Sequence, residues 1–112
     1  MVIAKNLYDI EIHKPGAKDD GCKPRMDLVL GGFADALLEV GKVGTYGANK
    51  YSDFGWISVP NGLERYSNAL LRHYLNHKRG EEIDVESKLP HLAHMAWNAL
   101  AILQLAIDEN RI

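Results

Sequence analysis

The sequence predicts an all-α fold: three main helices behind an irregular N-terminal segment, in a helical bundle completed by oligomerisation. Three observations predict it. Apolar residues recur at three- and four-residue spacing in three long stretches, the mark of amphipathic helices. The segment ahead of them is broken by Pro15, Gly16, Gly21 and Pro24. The last stretch is apolar nearly all round, which places it centrally and invites association in a chain of only 112 residues.

The elements follow in order. Residues 1–12 alternate weakly and fit a short strand or an extended arm, and 13–27 ("HKPGAKDDGCKPRMD") reads as a loop carrying Lys14, Lys18, Lys23 and Arg25. The first helix opens at Phe33 and repeats through Ala34, Leu37, Leu38, Val40 and Val43. Gly41, Gly44 and Gly47 weaken it by up to about 1 kcal/mol each, unless they admit a close neighbour. Residues 53–62 form a loop. The second helix starts near Pro60 or Asn61, with Asn61 as N-cap, and runs to about Arg79, where Gly80 stops it. After the acidic connector "GEEIDVESK", the third helix begins between Ser87 and Pro90 and continues to about Asn110. The three helices are expected to span roughly 19 to 22 residues each. The whole chain reads as one domain: 1–27 arm and basic loop, 33–110 helical core.

Composition narrows the function classes. A formal net charge of −2 gives no basic excess, so nucleic acid is not an expected partner. The N-terminus lacks the apolar core of a signal peptide, and the mostly apolar stretch 92–107 is interrupted by His94, Asn98 and Gln104. A single cysteine, Cys22, fits a reducing compartment. No membrane association and a cytoplasmic location are the expectations.

Polar groups in the helices carry the chemistry. In "LPHLAHMAWNALAIL", His91, His94 and Asn98 form one stripe on an otherwise apolar helix, so they face protein or a shared cavity. They are either hydrogen-bonded core fillers or the wall of a site. On the second helix His73 and His77 share a face with Tyr66 and Leu70, although His77, followed by Lys78 and Arg79, reads as exposed. Arg65 and Arg72 lie seven apart on another stripe, about 10 Å along the axis, a spacing that can clamp a polyphosphate or simply face solvent. Glu81, Glu82, Asp84 and Glu86 crowd the short connector next to His91. Carboxylates suit Mg²⁺ or Mn²⁺, and imidazoles shift preference toward Zn²⁺ and other transition ions. Asp35 and Glu39 share a face of the first helix, where they oppose its dipole or reach the same polar centre. Tyr46, Lys50, Tyr51 and Trp56 can hold a base and a phosphate, or close a small core.

The strings "KPRMDLVL" (23–30), "TYGANKY" (45–51) and "LERYSNALLRHYLNHKRGEEIDVESKLPHLAHMAWNALAIL" (63–103) together resemble the phage dATP/dGTP diphosphohydrolase N-terminal domain family. The ordered run RH…GE.ID.ES..PHLAH..WNA is the specific part. The resemblance implies a nucleotide pyrophosphohydrolase related to the MazG-like all-α group. Such enzymes cleave a (deoxy)nucleoside triphosphate between the α and β phosphates, use Mg²⁺ or Mn²⁺, and work as homodimers or homotetramers. It carries over to Lys23, Arg25, Arg65, Arg72, His73, Glu81, Asp84, His91, His94 and Asn98. One difference stands out: His91-x-x-His94 occupies the place of the Glu-x-x-Asp pair of the MazG-like group.

The expected mechanism follows. Glu81, Asp84, His91 and His94, with Glu39 as a further ligand, hold one divalent ion or more. Lys23, Arg25, Lys50, Arg65, Arg72 and Asn98 hold the triphosphate, and His73, Glu81 and Asp84 form the catalytic set. The rival readings are a nucleotide- or protein-binding module without turnover, and a structural phage accessory protein.

Overall fold

The computed structural model describes residues 15–112, so the expected arm over 1–12 and Lys14 lie outside the described residues. The chain divides into two compact units, Met1–Gly32 and Phe33–Ile112. In the first, residues 15–26 are irregular as the Gly and Pro spacing requires. One short helix, α1 (Asp27–Leu30), was not expected; it is a single turn closed by Leu30 N–H to Met26 O at 2.9 Å.

The second unit holds the three main helices, α2 (Ala34–Lys50), α3 (Gly62–Lys78) and α4 (His91–Asp108), with a 3₁₀ turn at Gly55–Ser58. They are 17, 17 and 18 residues long, shorter than expected. The glycines do not end α2 near Val43; it continues to Lys50. At Gly44 a Cβ would lie 3.6 Å from the Trp97 indole nitrogen, an ordinary van der Waals contact, so α2 lies close to Trp97 there without requiring a glycine. The neighbour admitted is therefore a side chain. Asn61 precedes α3 with a left-handed φ of 56° and makes no side-chain capping bond, so its expected role as a hydrogen-bonding N-cap does not hold. Gly80 does terminate α3: its φ of +97° lets the chain reverse, with its N–H bonded to His77 O at 3.0 Å.

The start of α4 also differs from expectation. Pro90 disfavours helical backbone in the residue before it, and its own ψ of 138° is extended, so the helix begins at His91 and not at Ser87. The residues between are a closed loop. Ile83 and Pro90 form an antiparallel bridge, Asp84 N–H bonds Leu89 O at 2.9 Å, and His91 N–H bonds Glu82 O at 2.9 Å. The connector is thus folded tightly onto the first turn of α4.

Helix α4 packs on α3 and on α2 and supplies the core. Trp56, Tyr66 and Trp97 meet edge to face with centroids 5.6–6.4 Å apart, and the Tyr66 hydroxyl donates to Trp56 O at 2.7 Å. The buried face of α4 runs along His91, His94, Asn98, Ala101 and Leu105. The opposite stripe, Leu92, Leu100, Leu103 and Ile107, is about half exposed, so this chain alone does not cover α4 on most sides as expected. The polar residues point inward with Ala101 and Leu105, while the four residues of the opposite stripe lie outward.

Trp97 joins α2, the 3₁₀ turn and α3 to α4. Trp97→Ala is expected to destabilise the fold by about 2–4 kcal/mol, near the lower end of aromatic deletions because the ring is only part-buried. Urea unfolding followed by circular dichroism measures it; a loss below about 1 kcal/mol would show that the aromatic cluster is not the joint.

Candidate metal centre

Three segments build the site: the middle of α3, the folded connector and the first turn of α4. Asp84 anchors the connector by accepting from Ser87 N–H at 2.8 Å and from Ser87 Oγ–H at 2.7 Å, the local turn that Asp and Ser side chains favour. Burial pushes the Asp84 carboxyl up, but these two bonds and the nearby imidazoles prevail and hold it below its ordinary range.

His91 is completely buried and bonded at both ring nitrogens. Nε2 lies 2.8 Å from Glu81 Oε2, and Nδ1 lies 2.8 Å from His73 Nδ1. A carboxylate can only accept, so Nε2 carries the hydrogen and Nδ1 presents its lone pair to His73. His73 is pushed down to about 4 by burial and then by the neighbouring His94 and His91, so it is neutral at pH 7. One donor atom each from His73, Asp84 and His91 lies within 4.8 Å of the others. Two imidazoles and a carboxylate brought this close are donors of the kind that could hold a divalent ion.

His94 serves the cluster differently. Its ring stacks on His73 with centroids 4.3 Å apart and planes 5° from parallel. Its Nε2 lies 2.7 Å from Ser87 Oγ and 3.8 Å from Asp84 Oδ2. Ser87 gives its single hydrogen to Asp84, so His94 Nε2–H is the donor to Ser87. Burial also lowers the His94 pKa. Tyr46 of α2 meets this ring edge-on at 6.5 Å.

The remaining expected residues fall into place as follows. Glu81 touches the cluster through His91 and not as one of the three converging donors. Glu39 is salt-bridged to Lys42 at 2.8 Å, and lies two turns, about 10 Å, along α2 from Tyr46. It lines an open groove with Asp35, Leu38 and Thr45, which contains none of the cluster. Asn98 is buried and donates to His94 O at 2.8 Å within α4. Arg65 and Arg72 are both exposed on α3, and Arg72 adjoins His73. Lys50 bonds Glu86 at 2.5 Å, which raises the lysine's pKa and lowers the glutamate's. In the first unit, Lys23 Nζ donates to Asp19 O at 2.9 Å and Arg25 pairs with Asp27 at 2.8 Å. His77, expected to be exposed, is part-buried, and its Nδ1 is enclosed with no hydrogen-bond partner. Ser87 was not singled out as a site residue by the sequence, although Asp-x-x-Ser at 84–87 was its signal; Tyr46, expected to stack on a base or close a small core, instead lies edge-on to His94.

The described residues thus define a small helical protein with a His/His/Asp cluster at the junction of α3, the connector and α4. A family model described as "dATP/dGTP diphosphohydrolase, N-terminal" matches residues 13–112, and the chain belongs to that family. Its name points to a nucleotide diphosphohydrolase. No curated protein and no solved structure matches the chain. Among the described residues, no helix is long and apolar enough to cross a membrane.

The hydrogen-bond logic fixes two tautomers. Long-range ¹H–¹⁵N correlation spectra of the metal-free protein near pH 7 are expected to show His91 and His94 both protonated at Nε2. An Nδ1–H signature at either residue would contradict the donor assignments.

Proposed function

We propose that this chain hydrolyses a purine deoxynucleoside triphosphate to the monophosphate and pyrophosphate, with a divalent ion held by His73, Asp84 and His91. The carrying observation is the convergence of these three donors within 4.8 Å, in a family named for dATP/dGTP hydrolysis. The ion, when bound, would lower the pKa of a water and neutralise charge on the phosphates. The protein's own groups do the rest. Glu81 and Ser87 orient the buried imidazoles, and His94 supports the His73 ring by stacking. Arg72, next to His73 and exposed, and Arg65 two turns earlier supply the positive charge for the triphosphate chain. Water adds at the α phosphorus and the bond to the bridging oxygen breaks, so pyrophosphate leaves with that oxygen.

Pyrophosphate release from each dNTP in the presence of Mg²⁺, Mn²⁺ or Zn²⁺ tests the reading. His91→Ala and Asp84→Ala should lower kcat/KM by more than the roughly 10- to 100-fold that losing a supporting partner of a metal ligand costs. Arg72→Ala should act mainly on KM, and Glu39→Ala should leave turnover near that of the wild type. Tight nucleotide binding with no product in any metal would instead make the chain a binding module.

We also propose that the exposed stripe of α4 is covered by a second copy of the chain. Leu92, Leu100, Leu103 and Ile107 are each about half exposed, on a helix with no Asp, Glu, Lys or Arg before Asp108. A charge-free apolar stripe of this kind suits a self-complementary two-fold contact. Sedimentation velocity should show a dimer or larger, and Leu100→Glu with Leu103→Glu should shift it toward monomer; a monomeric wild type at micromolar concentration would refute the contact.

A further inference from the structure

We infer that the cluster selects a transition ion that favours imidazole over Mg²⁺, and that Glu81 is the positioning residue that makes His91 a ligand. The inference rests on the metal centre of the proposed function and gives it a chemical identity. Two of the three converging donors are ring nitrogens, one each from His73 and His91, and the Nδ1 atoms of these two rings face one another at 2.8 Å. Magnesium prefers oxygen donors and keeps several of its waters, whereas imidazole pairs suit Zn²⁺, Co²⁺, Fe²⁺ and Ni²⁺. Only Asp84 offers oxygen among the three.

His91 presents Nδ1 to that centre because its other nitrogen is committed. Its ring is fully buried and cannot turn to water, and Glu81 Oε2 takes Nε2–H at 2.8 Å. A carboxylate behind the far nitrogen fixes the tautomer and raises the basicity of the near one, as it does for histidines that bind metals generally. His73 is held from outside the helix as well. His94 lies flat against it and is itself tied to Ser87, so the ring cannot swing away from His91 without breaking the stack. In the metal-free protein, a hydrogen on His73 Nδ1 bridges the two nitrogens; with a cation bound between them, His73 would hold that hydrogen at Nε2 and stay neutral.

The test uses the full chain stripped with a chelator, without nucleotide, titrated with Co²⁺ and followed by visible absorption. The expected result is saturable uptake with ligand-field bands, displaced by Zn²⁺ and untouched by Mg²⁺ in about 1,000-fold excess. His73→Ala, on the part-buried side of the cluster, should abolish the bands while circular dichroism shows an intact fold. Glu81→Gln should keep the bands but weaken Co²⁺ affinity roughly 10- to 100-fold. Displacement by Mg²⁺, or a folded His73→Ala protein that binds Co²⁺ like the wild type, would overturn the inference. The two readings fail separately. Co²⁺ bound as described with no dNTP turnover supports this inference and removes the hydrolase; Mg²⁺-driven turnover indifferent to His73 overturns this inference and the placing of the ion, and leaves only the hydrolytic activity standing.

Discussion

A completely buried imidazole is tolerated only when both of its ring nitrogens have partners, because each unpaired one would cost a lost hydrogen bond in a low-dielectric setting. His91 meets this condition through Glu81 on one side and His73 on the other. The connector has to fold back over α4 to deliver Glu81, and α3 has to lie alongside to deliver His73. The Glu81–His91–His73 chain therefore ties together the end of α3, the connector and the first turn of α4, and the site's geometry depends on it.

The connector is built for that delivery. Gly80 reverses the chain, the Ile83–Pro90 bridge closes the loop, and the backbone bond from His91 N–H to Glu82 O pins it to the helix start. Asp84 uses Ser87 both to shape the turn and to stay ionised, and through Ser87 it also orients His94. Few of these groups have a single role. A short acidic stretch that looks solvated in the sequence is held by its own hydrogen bonds, which is what lets it contribute to a site.

Polar groups occupy much of the inner face of α4 in place of apolar side chains. His91, His94 and Asn98 fill positions where leucines would bury more area, and Leu92, Leu100 and Leu103 of that helix lie outside at about half exposure, leaving Leu105 as its buried leucine. Such a chain has a thin core: among the described residues only Val43, Ala93, Ala101 and Leu105 are buried apolar side chains, flanked by the part-buried Trp56–Tyr66–Trp97 cluster.

Local pattern was enough to read three long helices, the Gly80 stop and the irregular 15–26 segment, since helical periodicity and Gly/Pro breaks act within a few residues. It was also enough to pick out His73, Glu81, Asp84, His91 and His94, all of which meet in one place. Periodicity alone could not tell that α2 continues through its glycines to Lys50, or that Gly44 lies against Trp97 of another helix. Nor could it divide the labour among the polar residues. That Glu81 backs His91, that His94 stacks on His73, and that Glu39 lies two turns away depend on which faces α2, α3 and α4 turn toward one another. Helix-to-helix packing sets that relation, and it acts between residues far apart in the chain.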